Sequence, residues 1–198
     1  MKLYIETNFV MSVATGRDPQ AENLLLNTPA SVGLAIPDVC YMEALSVFAT
    51  DKKQRQRFHN ELDIWINDAE RNKTSTRAQS LLFQLQQSRD GNEALIEEID
   101  RRFFQVVGQL ARKAEMIALT PDMLETSLQT NFIPDLTDNL ILNCILGHAR
   151  SQPSEVKVFL SGNVTDFGKR EVRGALREAG VYNYFSSAEA FFGWLQSQ

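Results

Sequence analysis

Pro134-Asp135-Leu136-Thr137-Asp138 opens a stretch whose reading decides the fold. It is followed by an apolar-periodic segment running to His148, then by Val156-Lys157-Val158-Phe159-Leu160-Ser161, and then by Gly162-Asn163-Val164-Thr165-Asp166-Phe167. The first segment has helical spacing, and the second is a β-branched apolar run of strand length. Acidic groups thus fall at a helix start and again just past a strand end. In open α/β sheets the crevice outside the carboxyl ends of the strands is where ligands bind.

Working outward toward the C-terminus, Lys169 to Ala179 reads as a helix stopped by Gly180, a suitable C′ residue. Val181 to Phe185 reads as a last strand and Ser187 to Gln196 as a last helix. Toward the N-terminus, Met116-Ile117-Ala118-Leu119 is a short strand, and Pro121-Asp122 opens a helix. Further back, Lys2-Leu3-Tyr4-Ile5 is a strand ending in Glu6-Thr7-Asn8, polar residues suited to cap a helix near Phe9. A second amphipathic segment covers Ala21 to Leu26, and Val32-Gly33-Leu34-Ala35-Ile36 is a buried strand. Pro37-Asp38 then starts a long helix carrying Glu43 one to two turns in, with Thr50-Asp51 as the candidate point of a kink or break.

Between that helix and Met116, Thr76 to Gln87 and Asn92 to Arg112 have amphipathic helical patterns, with Asp90-Gly91 as the expected turn between them. The expected organisation is one domain over 1–198 with a helical insertion at about 51–113. Strands alternating with helices predict a parallel sheet of about five strands covered on both faces, a three-layer α/β/α sandwich.

At 198 residues and 43% apolar content the chain can bury a core of its own. No apolar run approaches the roughly 18 residues of a membrane span, so a cytoplasmic protein with no membrane partner is expected. Cys40 and Cys144 lie in apolar helical patterns and are expected as buried free thiols. The net charge of −5 argues against a broad basic nucleic-acid surface, though not against an acidic site that reaches phosphates through metal ions.

In a right-handed parallel sheet, strand ends and the starts of the following helices share one edge. Glu6, Glu43, Asp138, Asn163 and Asp166 all fall at such positions. Carboxylates gathered there repel and raise one another's pKa unless a cation neutralises them. Hard divalent ions take oxygen ligands, and they lower the pKa of bound water in phosphodiester displacement. Each group also has a structural explanation. Asp135 and Asp138 can serve as a capping pair and Asp166 as the cap of the helix through Ala179. Glu43 sits in an apolar helical start, where an unpaired carboxylate is costly.

The chain resembles the PIN domain family of Mg²⁺- or Mn²⁺-dependent nucleases. The resemblance is carried by Tyr4-Ile5-Glu6-Thr7-Asn8, by Ile36-Pro37 through Glu43-Ala44-Leu45, by Pro134 through Asp138-Asn139-Leu140-Ile141, and by Phe159-Leu160-Ser161-Gly162-Asn163 with Asp166-Phe167. It implies Glu6, Glu43, Asp138 and Asp166 as the catalytic, metal-binding quartet, with Asn8, Asn163 and Asp135 as supporting polar groups. It implies an endoribonuclease acting on RNA, with an antitoxin or other protein partner and a homodimer among the associations known for such domains. The chain departs from the family pattern at Glu6 and Asn163, where Asp is usual or frequent. A non-catalytic binding module with a weakened acidic site is therefore the competing expectation.

Lys169, Arg170 and Arg173 follow Asp166 and are placed to meet substrate phosphates. Lys52-Lys53-Gln54-Arg55-Gln56-Arg57, with Arg71, Lys73 and Arg77, reads either as a phosphate-binding arm or as a solvated helix face. His59 and His148 are isolated on helices and expected as surface or packing residues. No nucleophile triad, Walker-type loop or zinc-ligand pattern is present.

Overall fold

The computed structural model of the chain describes residues 1–197. Among these, five strands form one sheet: β1 (Lys2–Tyr4), β2 (Gly33–Pro37), β3 (Glu115–Ile117), β4 (Lys157–Leu160) and β5 (Val181–Phe185). Their order is β3-β2-β1-β4-β5, and every pairing is parallel. The helices are α1 (Thr7–Ala14), α2 (Pro19–Leu26), α3 (Asp38–Arg71), α4 (Thr76–Lys113), α5 (Pro121–Gln129), α6 (Leu136–Ser151), α7 (Val164–Phe167), α8 (Arg170–Glu178) and α9 (Ala188–Leu195). Helices flank the sheet, giving the expected three-layer α/β/α arrangement.

The strands are apolar runs because both faces of the sheet are covered. Leu3 and Tyr4 in β1, Ala35 and Ile36 in β2, and Val158 and Phe159 in β4 are all fully buried. The helix starts follow from local chemistry. Asp18 caps α2 ahead of Pro19, Thr120 caps α5 ahead of Pro121, and Ser187 caps α9. Gly180 follows α8 with φ of 85°, the left-handed conformation that the end of this helix requires. Cys40 and Cys144 are buried free thiols.

The described residues divide into two compact units. One is Met1–Leu45 together with the chain from Phe103 on, and it holds the whole sheet; the other is Ser46–Arg102. Two expectations about the helical region are corrected. α4 runs unbroken through Asp90-Gly91, so no turn separates two helices there. A Cβ at Gly91 would meet nothing within 4 Å, so no close approach demands glycine. One helical glycine costs only about 1 kcal/mol against alanine, too little to end a helix flanked by good helix formers. Asn92, instead of stopping the helix, donates from its side chain to the Arg55 carbonyl at 3.2 Å. α3 is likewise continuous through Thr50-Asp51, where the Thr50 hydroxyl donates back to the Ser46 carbonyl at 3.0 Å and stays within the helical pattern.

His148 proves to be a connector. Its Nδ1 lies 2.9 Å from the Tyr4 hydroxyl and its Nε2 lies 3.2 Å from Glu115 Oε1, which ties α6 to β1 and β3. Glu115 also takes an ion pair from Lys2, and that pairing holds its carboxyl below the usual range.

Candidate active site

β1 is bonded to β2 on one side and to β4 on the other, so the strand order reverses between β1 and β4. Both strand ends are pinned just beyond the regular pairing. The Ile5 amide donates to the Ala35 carbonyl at 3.0 Å, and the Ser161 amide donates to the Phe185 carbonyl at 3.0 Å. The crevice at such a reversal is the usual ligand position of an open parallel sheet. The acidic residues emerge here.

Glu6 directly follows this pinned end of β1 and caps α1, its Oε2 accepting from the Asn8 amide at 2.6 Å. It is 1% exposed, and its Oε1 is buried without a hydrogen-bond partner among the described residues. Burial pushes the Glu6 carboxyl up to about 7; the Asn8 amide and the neighbouring Ser161 hydroxyl pull it down, while the fields of Asp138 and Glu43 add to the rise. The Asn8 contribution is therefore made by its backbone, since its side chain is exposed.

Glu43 lies in the second turn of α3 and accepts a hydrogen bond from the Thr7 hydroxyl. Asp138 lies in the first turn of α6, behind Asp135, whose carboxylate accepts from the Thr137 and Asp138 amides at 2.9 and 3.1 Å. Partial burial pushes Asp138 up to about 6, with Glu43, Asp135 and Asp166 raising it further. Asp138 thus feels Glu43 and Asp166, and Glu6 feels Asp138 and Glu43.

Asp166 does not take the structural alternative open to it, the cap of the helix through Ala179. Asn163 caps the short α7, which contains Asp166, and α8 begins only at Arg170. The reason is local: Asn163 precedes three residues that complete a turn, and its Oδ1 accepts from the Asp166 amide at 3.2 Å. The Asp166 carboxylate takes the Lys169 ammonium at 3.0 Å and the Asn163 amide at 3.1 Å, and both hold it below the usual range. Gly168 ends this turn. A Cβ there would run into the Val164 carbonyl oxygen and lie 2.9 Å from Val164 Cγ1. Gly168→Ala is accordingly expected to destabilise the chain by about 1–3 kcal/mol. Urea unfolding measures this, and an unchanged midpoint would show that the turn yields freely.

The groups expected at phosphates are differently engaged. Lys169 is paired with Asp166, the Arg173 guanidinium lies 5.1 Å from the centre of the Tyr184 ring, and Arg170 is exposed. Within the Ser46–Arg102 unit, Lys52 forms an ion pair with Asp100, and His59 lies 3.8 Å from Asp63. A cleft of ≈ 210 Å³ is lined by Asn8, Ser12, Arg17, Ser161, Gly162 and Ser186, among others, and by none of Glu6, Glu43, Asp138 and Asp166.

Three groups that matter here did not stand out in the sequence. Thr7 supplies the bond to Glu43. Ser161 is 1% exposed and accepts from the Asn163 amide at 3.1 Å. Asn139, 2% exposed, accepts from the Phe132 and Ile133 amides and donates to the Ser127 and Thr130 carbonyls, fixing the loop that delivers Asp138. The usable signal was a polar residue inside an otherwise apolar element end, where burial without a partner is costly.

The fold is a parallel α/β/α sandwich whose strand order reverses between β1 and β4, with Glu6 at the end of β1. A family model described as PIN domain matches residues 3–167, and the chain belongs to the PIN domain family. Comparison with curated proteins and with solved structures finds no match. PIN domains are generally nucleases that depend on divalent metal ions and act on RNA. No described helix is long and apolar enough to cross a membrane.

The residues present suit such an ion in their chemistry. The donors are all oxygens, as hard cations require, and Glu6 Oε1 is an orphaned buried acceptor. Among the described residues no group of three or more His, Cys, Asp and Glu side chains forms a ready metal cluster. The Thr7 hydroxyl and the Asn163 amide bond directly to these carboxylates instead.

Proposed function

We propose that the chain is a Mg²⁺- or Mn²⁺-dependent endoribonuclease that hydrolyses phosphodiester bonds of single-stranded or structured RNA. The observation that carries the reading is Glu6, a fully buried carboxylate with an unpartnered oxygen, sharing its field with Glu43 and Asp138 at the end of β1. A folded protein rarely keeps such a group without a use. Glu6, Glu43, Asp138 and Asp166 are the candidate ligands. When bound, a divalent ion supplies an acidified water and neutralises charge on phosphoryl oxygens.

The chain's own residues do the rest. The Asn8 amide and Thr7 hydroxyl orient Glu6 and Glu43, while Asp135 and Asn139 fix the turn that presents Asp138. Arg170 and Arg173, on the helix after Asp166, hold the nucleotide backbone. The Ser46–Arg102 unit is, in this reading, a helical elaboration of a single PIN domain.

The purified chain is expected to cleave single-stranded RNA in millimolar Mn²⁺ or Mg²⁺ and to lose that activity in EDTA. Absence of cleavage with every divalent metal would overturn the catalytic assignment. A second reading, a non-catalytic binding module, is favoured by one observation: Asn163 and Lys169 already satisfy Asp166. Failure of millimolar Mn²⁺ to raise the unfolding temperature would support it.

A further inference from the structure

α8 segregates its charges. Arg170, Arg173 and Arg177 recur at helical spacing and share one flank, whereas Glu171 and Glu178 share another. Like charges one turn apart repel, and among the described residues no carboxylate pairs with Arg170, Arg173 or Arg177. The arginine flank borders β5, an edge strand of the sheet. Between them lies a cleft of ≈ 170 Å³ lined by Arg173, Arg177, Tyr182, Asn183 and Tyr184, among others, and by no carboxylate. The register of β5 on β4 slips here: Lys157 lies opposite Val181 but Val158 opposite Asn183, so Tyr182 is an extra residue that the pairing skips. This bulge leaves Tyr182 67% exposed. Tyr184 is fixed instead, its hydroxyl donating to the Ser161 carbonyl at 2.8 Å and its ring lying under the Arg173 guanidinium.

We propose that this cleft is a binding site for single-stranded RNA, in which Arg173 and Arg177 hold successive phosphates and Tyr182 stacks on a base, so that the strand runs from Asp166 along α8 and over the edge of the sheet. The proposal rests on the RNA-directed reading above and extends it with Arg177, Tyr182 and a path. Arg173 and Arg177 stand about 6 Å apart along the helix axis. Lys169, paired with Asp166 at 3.0 Å, puts the start of the path beside a candidate ligand. Arginine forks suit phosphate oxygens, and an exposed aromatic ring offers a face that any base can use. An acidic peptide would engage the arginines but has no base to lay on Tyr182.

The test is fluorescence anisotropy of the full chain with a labelled oligouridylate in EDTA, over a series of salt concentrations. Arg177→Ala is expected to reduce the slope of log affinity against log salt by about 0.7, the share of one phosphate on a single strand. Tyr182→Ala is expected to weaken binding about 5–150-fold with the slope unchanged, and Tyr182→Phe to bind like wild type. Both side chains are exposed, so neither change disturbs the core. Arg150→Ala, at an exposed position in the last turn of α6, is expected to leave binding unchanged. No binding by wild type, unchanged binding in Arg177→Ala and Tyr182→Ala, an equal loss in Arg150→Ala, or equally tight binding of polyglutamate would overturn the proposal. Cleavage in Mn²⁺ by a chain whose variants bind unchanged would leave the nuclease reading standing without this site. Binding through Arg177 and Tyr182, with no cleavage under any metal, would keep the site and remove the nuclease.

Discussion

Replacing Asp138 by asparagine is expected to lower metal-supported RNA cleavage by about 10²–10³-fold, the size of effect typical when one group that stabilises transition-state charge is lost. The fold should survive. Asp135, not Asp138, caps α6, and Asn139 holds the preceding loop. The substitution forfeits a first-turn carboxylate, worth about 0.3–1 kcal/mol at a helix start. It also relieves the burial of charge and the repulsion that together raise Asp138 to about 6, and an asparagine Oδ1 can still accept from Asn163. Single-turnover cleavage beside a thermal melt separates the two effects. A variant as active as wild type would remove Asp138 from the site.

Glu6→Gln is expected to make the metal-free chain more stable at pH 8, by about 3 kcal/mol from a shift of roughly two and a half units. The sign follows from linkage. The Glu6 carboxyl lies at about 7 in the folded chain, against an ordinary value of 4.5. Between those values the folded state binds more protons than the unfolded one, so stability falls as pH rises through this window and the full cost is present above it. Asp138, raised from 3.8 to about 6, acts with the same sign at lower pH. Asp166 is displaced the other way but is exposed enough to solvent that its share is small. Glutamine cannot ionise, and its Oε1 still accepts from the Asn8 amide. Urea unfolding in EDTA should therefore find the two proteins alike near pH 4.5 and the variant ahead at pH 8. A wild-type chain no less stable at pH 8 than at pH 5 would contradict the burial of a charged Glu6. Saturating Mn²⁺ should reverse the ranking, because only the carboxylate gains from the ion.

The alternation of strands and helices was legible because both faces of the sheet are buried and each strand reads as an apolar run. The place of Glu6 just past β1 and of Glu43 in the helix after β2 was legible from the alternation, since strand ends of a parallel sheet share an edge. Gly91 misled because the same residue that suits a turn is also tolerated, at modest cost, inside a long helix. The cap role left open for Asp166 is not taken up, because Asn163 caps a separate short turn that contains Asp166 and the next helix starts only at Arg170. The Tyr4–His148–Glu115 chain and the four bonds of Asn139 join residues distant in sequence or buried by packing, so no local pattern announced them.

The register of the central pair has a consequence for assembly. Lys2 of β1 lies opposite Lys157 of β4, so the first strand made must wait for one synthesised far later. Until then Glu6 lacks Ser161 beside it. Pairings of such long sequence separation form slowly and late. The surroundings of Glu6 are thus completed only when the central strands close.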